Sequence, residues 1–266
     1  MAVTKQNKRV NSLLHLLKQN NASSIKELAD ALKVSEMTVR RDVQILAESG
    51  LVRIIHGGVI YNPGKLNPEV FNEKSAPLYH LLQEETKRVD EKRLIGEKAA
   101  QLIKPNDIII IDSGSTTDYL VKNIPPDMPL TVICWATNIL AEAQKKQNWR
   151  IIFAGGYYHE NTMMCESEEG VELIKKNRAN KAFFAAGGVH PRLGVTNTNQ
   201  YAVSMKRASI TASLERILLV DSSKFGDIRP AYYAELEDFH AIITDRGITE
   251  DYRKVITSLG IELIVV

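Results

Sequence analysis

Two short groups of residues have the types and spacing to hold anions. In the first, Asp112-Ser113-Gly114-Ser115-Thr116-Thr117 follows four isoleucines and opens a helical pattern. A strand, a small-residue loop and a helix N-terminus together present backbone N–H groups, hydroxyl donors and the favourable end of a helix dipole, the requirements for binding phosphate. Lys224, in the run Asp221-Ser222-Ser223-Lys224-Phe225-Gly226, also follows an apolar strand-like segment and could neutralise such a group. Further loops fall after other apolar runs, at Asn138, Gly155-Gly156 and Gly187-Gly188. Open α/β sheets bind ligands outside the C-terminal ends of their strands. The second group lies near the N-terminus, where Ser35, Glu36, Met37, Thr38, Arg40 and Arg41 open a helix whose apolar stripe is Val39, Val43 and Leu46. A helix fits the roughly 12 Å major groove of DNA, where Arg can grip guanine or phosphate and Thr can touch a thymine methyl or phosphate. Asp42 should orient Arg41 or another base, because a carboxylate repels phosphate.

The elements that position these residues can be read from periodicity and caps. Residues 5–19 predict a first helix, with apolar residues at helical spacing. Ser24 and Glu27 form a capping-box pattern opening a second helix to about Leu32. Lys33-Val34 makes a turn, and Ser35 caps a third helix ending before Gly50. A β-hairpin turning at His56-Gly57-Gly58 completes a winged helix-turn-helix over residues 1–61, with Arg53 and Gly57 near the DNA backbone. Turn-forming residues from Asn62 to Pro68 begin a linker over 62–83. A long helix is predicted from about Glu84 to Lys104, closed by Pro105. Short apolar runs then alternate with helical patterns, which argues for an α/β domain over 84–266 with a mostly parallel, Rossmann-like sheet.

The run SIKELADALKVSEMTVRRDVQILAESGLVRIIHGGV resembles the N-terminal signature of DeoR-type bacterial transcription regulators. Residues 90–250 resemble the sensor domain of that family through the DSGSTT loop, AGG at 154–156 and VDSSKFG at 220–226. The resemblance implies a sensor fold similar to ribose-5-phosphate isomerase and related sugar-phosphate isomerases. It further implies a repressor that binds double-stranded operator DNA as a homo-oligomer under control of a phosphorylated sugar. AAGGVH and SSKFGDIRPA are most like the deoxyribonucleoside-operon branch of the family, which implies an effector resembling deoxyribose 5-phosphate. In isomerase-like relatives an acidic pair follows the fourth strand. Here that stretch is Ala185-Ala186-Gly187-Gly188-Val189-His190, without a carboxylate. Acid–base work on a sugar needs a titratable group within hydrogen-bond reach, so binding without catalysis is expected, and no cofactor. Two other readings stay open: an activator with the same ligand control, and an isomerase carrying a DNA-binding appendage.

Composition fits this division. The chain has 266 residues, with 44% hydrophobic and 25% charged. The net charge of +2 conceals a basic first 60 residues, with nine Lys/Arg against five acids, and a slightly acidic remainder. An anionic partner is thus expected for one end only. Cys134 and Cys165 do not form a Cys-x-x-Cys pair, no signal-peptide pattern follows the start, and no apolar run approaches the ~20 residues of a membrane span. A cytoplasmic protein without membrane contact is expected.

Overall fold

The computed structural model describes residues 9, 10, 12–14, 16, 17, 22–48, 52–55, 58–61 and 81–266. The chain divides into two compact units, residues 1–77 and 78–266. In the first unit, helical residues 9, 10, 12–14, 16 and 17 (α1) supply Val10, Leu13, Leu14 and Leu17 to a small core. Strand β1 (Ala22–Ser24) leads directly into α2 (Ile25–Leu32). Ser24 caps α2 with the predicted capping box: its hydroxyl accepts from the Glu27 amide at 3.1 Å, and its own amide donates to the Glu27 carboxylate at 2.7 Å. Lys33, at φ 52°, ends the helix in the left-handed region. Helix α3 (Glu36–Glu48) packs Val39, Val43 and Leu46 into the same core.

Strands β2 (Val52–Ile55) and β3 (Gly58–Tyr61) pair antiparallel as the expected hairpin. The sheet has a third strand that sequence reasoning missed, because β1 pairs with β3. Residues 22–24 have no alternating pattern, and their extended form comes from pairing some 35 residues away. The Gly50 cap, the His56-Gly57 turn and the Asn62–Pro68 segment lie outside the described residues.

The second unit opens with α4 (Leu81–Glu85), which begins inside the stretch read as linker from the sequence and crosses its expected end at residue 83, and α5 (Val89–Ala100). The single long helix expected from Glu84 to Lys104 is therefore broken. Arg88 adopts a left-handed φ of 48° between the two pieces, and the Lys92 ammonium caps the freed Glu84 carbonyl at 2.5 Å. The C-terminal end also comes earlier: residues 101 and 102 form a turn well before Pro105.

Beyond it, β4 (Ile108–Ile111), α6 (Ser115–Asn123), β5 (Leu130–Cys134), α7 (Thr137–Ala143) and β6 (Trp149–Phe153) alternate. Hairpin β7 (Tyr157–His159) and β8 (Met164–Glu166) follows, then α8 (Glu168–Lys176) and β9 (Ala179–Ala185). Strands β10 (Gly188–His190), β11 (Gly194–Asn197) and β13 (Ala231–Ala234) form a small antiparallel sheet that the apolar runs did not reveal. Its strands are three or four residues long, too short to carry a periodic signal. The remaining elements are α9 (Val203–Ala212), β12 (Ser213–Leu219), β14 (Ala241–Thr244), α10 (Glu250–Ser258) and β15 (Glu262–Val265).

The main sheet has seven strands in the order β15-β14-β12-β9-β4-β5-β6, all parallel. Ile109, Ile110, Ile111, Phe183, Phe184, Leu218 and Leu219 are buried on it, as parallel sheets require. The chain runs from β4 outward through β5 to β6, then returns to place β9 on the other side of β4. The topological switch point therefore lies between β4 and β9, and their C-terminal ends define the expected ligand crevice.

Candidate functional sites

At the switch point the DSGSTT segment leaves β4 and the Ala185-Ala186-Gly187 segment leaves β9. Asp112 is fully buried beneath them. Its carboxylate accepts from the Ser113 amide at 2.8 Å, the Ala185 amide at 3.0 Å and the Lys206 ammonium, tying both strand ends together. Lys206, from α9, also donates to the Ala185 carbonyl at 2.9 Å and lies over the Tyr233 ring. Burial pushes the Asp112 carboxyl up and the Lys206 amine down, and their pairing opposes both shifts. The loop runs so close to β9 that a Cβ on Gly114 would lie 2.7 Å from that of Ala185, so only glycine fits there.

Above this pair is a small cleft lined by Glu84, Lys92, Ser113–Thr116, Ala185–Gly187, Asn197, Lys206 and Lys224. Three lysines thus surround the start of α6. Lys224 sits 3.3 Å from the Glu84 carboxylate, and Lys87 lies 2.7 Å from it on the other side. Burial raises the Glu84 carboxyl, but the two lysines outweigh it and hold the group below its ordinary range. Burial also lowers the Lys92 amine. Carboxylates are therefore present, contrary to the expectation from Ala185–His190. They come from Glu84 and Asp112, on other segments, and each is neutralised by lysine. His190 accepts from the Arg192 amide at 3.2 Å, within the β10–β11 turn.

The residues expected to bind an effector are distributed unevenly. Ser113, Gly114, Ser115, Thr116, Gly187 and Lys224 meet in the cleft. Asp112 lies under it, and the buried Thr117 hydroxyl braces the loop by donating to the Gly114 carbonyl at 3.0 Å. Gly188 packs against Asp227, where a Cβ would meet the Asp227 carbonyl at 2.4 Å. Gly155 and Gly156 line a separate groove of about 440 Å3 with Tyr157, Ser167 and Leu173. The Asn138 amide lines neither space, and its nitrogen and oxygen are buried without a partner. Sequence reasoning missed Lys92, Lys206, Glu84 and Asn197. A signal did exist for both lysines: each sits at a core position of its helix, Lys92 in register with Ile95 and Ala99, and Lys206 with Ala202 and Val203.

In the first unit, α3 turns Glu36, Met37, Arg40, Arg41, Gln44 and Ile45 outward. At 100° per residue, Gln44 and Met37 occupy the centre of that exposed face, with Arg40 on one side and Arg41 on the other, and Glu36 and Ile45 at its edges. Met37 is 64% exposed, unusual for so apolar a side chain. The Ser35 and Thr38 hydroxyls bond each other at 2.9 Å, and the Thr38 amide donates to Ser35 at 3.2 Å, forming the N-cap. Arg40 makes only a loose 3.9 Å contact with Glu36. Asp42 points inward, fully buried, and takes Arg9 of α1 in a two-point ion pair at 2.5 and 3.1 Å. The base it orients is thus Arg9, not Arg41. Gly57 and the Arg53 side chain lie outside the described residues.

A helix-turn-helix with an exposed basic face and a parallel α/β unit with a lysine-lined switch-point cleft define a DNA-binding transcription regulator with a sensor domain. Residues 9–64 match the DeoR-like helix-turn-helix domain, and residues 87–246 match the DeoR C-terminal sensor domain. The chain belongs to the DeoR family of transcriptional repressors. It is 28% identical over 260 residues to the deoxyribose operon repressor of Escherichia coli K12, covering 98% of both chains. It is 30% identical over 253 residues to the HTH-type transcriptional regulator GolR of Listeria innocua, covering 95% of this chain and 96% of that one. A lactose phosphotransferase system repressor of Staphylococcus epidermidis is 30% identical over 249 residues, covering 93% and 95%. Among solved structures, the probable sor operon regulator of Shigella flexneri overlaps 60% of this chain and 87% of its own, at 12% identity and TM-score 0.42. Ribose 5-phosphate isomerase A of Neisseria gonorrhoeae overlaps 50% and 52%, at 17% identity and TM-score 0.36. No helix among the described residues is long and apolar enough to cross a membrane.

Proposed function

We propose that this protein represses a sugar or nucleoside catabolic operon and that a phosphorylated sugar, with deoxyribose 5-phosphate the first to test, controls its grip on operator DNA. The observation that carries this reading is the switch-point cleft. Lys92 and Lys224, the Ser113–Thr116 loop and the start of α6 converge there on a space a phosphate would enter. The names of the E. coli and S. epidermidis relatives support a sugar-catabolic operon. Binding without turnover is supported by the two carboxylates at the cleft. Asp112 is committed to Lys206 and two backbone amides, and Glu84 to lysines, so neither is free to take a proton from a sugar carbon.

Met37, Arg40, Arg41 and Gln44 read the major groove. Two copies in a homo-oligomer place their α3 helices about 34–36 Å apart, or a multiple of that, along the DNA. The effector acts by preferring one of two states. Shifting a 1:99 population to 99:1 takes about 5.5 kcal/mol of differential affinity, which several occupied subunits can supply together. A thermal-shift screen of sugar phosphates on the full chain tests the reading, since a ligand of the folded state stabilises it by mass action. A pentose 5-phosphate should raise the melting temperature where the free sugar does not. A panel that produces no shift at saturating concentration would refute the sensor assignment.

A further inference from the structure

The cleft that should take a phosphate already holds a carboxylate. Glu84 lines it, with one oxygen 3.3 Å from Lys224 and the other 2.7 Å from Lys87, while its backbone carbonyl takes the Lys92 ammonium at 2.5 Å. The space left is about 40 Å3. That is far below the roughly 300–1,000 Å3 of small-molecule pockets. Glu84 belongs to α4, the five-residue helix that opens the second unit. The elbow after α4 is tied to the same turn as Lys224: Arg88 stands 3.6 Å from Asp221 and donates to Ser222 at 3.5 Å. Leu81, at the start of α4, is buried and donates its amide to the Asn161 carbonyl at 2.8 Å.

We propose that Glu84 is an internal anion standing in for the effector's phosphate, so that a ligand enters only by displacing it from Lys224 and thereby loosens α4. This rests on the sensor reading above and adds the regulation of that site. A phosphate dianion offers Lys224 and Lys92 more negative charge than one carboxylate, together with acceptors for the Ser113–Thr116 donors. A neutral sugar offers the lysines nothing in exchange for Glu84. Glu84 thus makes the site selective for charged ligands. It also converts their binding into movement of the segment that leads back towards the DNA-binding unit.

The test compares wild type with Glu84→Gln in the full chain. Isothermal titration with deoxyribose 5-phosphate, ribose 5-phosphate and inorganic phosphate gives affinities, and hydrogen exchange follows the amides of residues 81–88. Removing the competing charge should tighten binding of the best probe roughly tenfold, a coupling of ordinary size. Exchange at 81–88 should rise on ligand addition in wild type and be already high in Glu84→Gln without ligand. If wild type binds a probe and Glu84→Gln binds it equally or more weakly, the internal-anion proposal is wrong while the sensor reading stands. If no probe binds either protein, both fail. Should Glu84→Gln not fold, exchange in wild type decides alone: faster exchange at 81–85 on saturation supports displacement, and unchanged or slower exchange overturns it.

Discussion

The two binding surfaces hold their cations in opposite ways. On α3, Arg40 is solvated and only loosely paired with Glu36, and Arg41 makes no ion pair among the described residues. In the sensor cleft, Lys206 and Lys224 are each committed to an internal carboxylate, and Lys92 to a carbonyl. A DNA duplex presents a dense row of phosphates and binds solvated cations by releasing counterions, so its partner surface need not be pre-formed. A small anion brings only one or two charges. It must find cations already held in place, and it must compete with whatever holds them. The same residue types therefore suit an open reader in one unit and a guarded receptor in the other.

Removing a buried cation should have the largest effect. Lys206→Met leaves Asp112 buried and unpaired, so the second unit should lose about 3–5 kcal/mol in denaturant unfolding. The double variant Asp112→Asn/Lys206→Met should recover much of that; a single variant within 1 kcal/mol of wild type would mean the pair does not hold the strand ends together. The counterpart in the first unit should be milder. Arg9→Ala strips the partner from Asp42, but Arg9 itself is 27% exposed, so water can partly repair the loss. A smaller loss than for Lys206→Met is expected from melting of the first unit. Arg41→Ala should leave stability unchanged and weaken operator binding by about 1–3 kcal/mol in a sequence-selective manner, as its exposed place beside Met37 on α3 implies. A uniform loss across DNA sequences, with a shallower salt dependence, would reassign it to phosphate.

The smallest effect concerns pH. Lys87 and Lys224 hold the Glu84 carboxyl below its ordinary value near 4.5, so its contribution to stability is present above that value and is lost as pH falls through the depressed one. Wild type should thus lose melting temperature below pH 4.5 more steeply than Glu84→Gln, and parallel acid profiles would show that the pairing adds nothing.

How much of this was legible in the sequence follows the same division. The first unit is built from local signals. The Ser24–Glu27 capping box, the Ser35 cap and the Val39–Val43–Leu46 stripe each lie within a few residues, and each sits where the pattern put it. The DSGSTT loop was legible for the same reason, since strand, small residues and helix start are contiguous. The cleft's charges were not, because Lys206 reaches Asp112 across 94 positions and Lys224 reaches Glu84 across 140. Sequence spacing carries no information about such pairs. Lys92 and Lys206 were visible only as lysines out of place on apolar stripes, a sign that burial must be compensated somewhere. Glu84 left no sign at all: it is an ordinary acid in an acidic stretch, and the break at Arg88 that positions it arises in the folded unit.

The proposed function makes an anion in the switch-point cleft the control on the DNA grip of α3. It is tested most directly by titrating the full protein, bound to its operator, with deoxyribose 5-phosphate and other sugar phosphates while DNA binding is read by fluorescence anisotropy, for wild type and for Lys224→Ala. At least one sugar phosphate should change the operator affinity of wild type. Lys224→Ala, which frees Glu84 without a ligand, should no longer respond to any sugar phosphate. An equal response in both proteins would contradict it, because the signal would then arise away from the cleft.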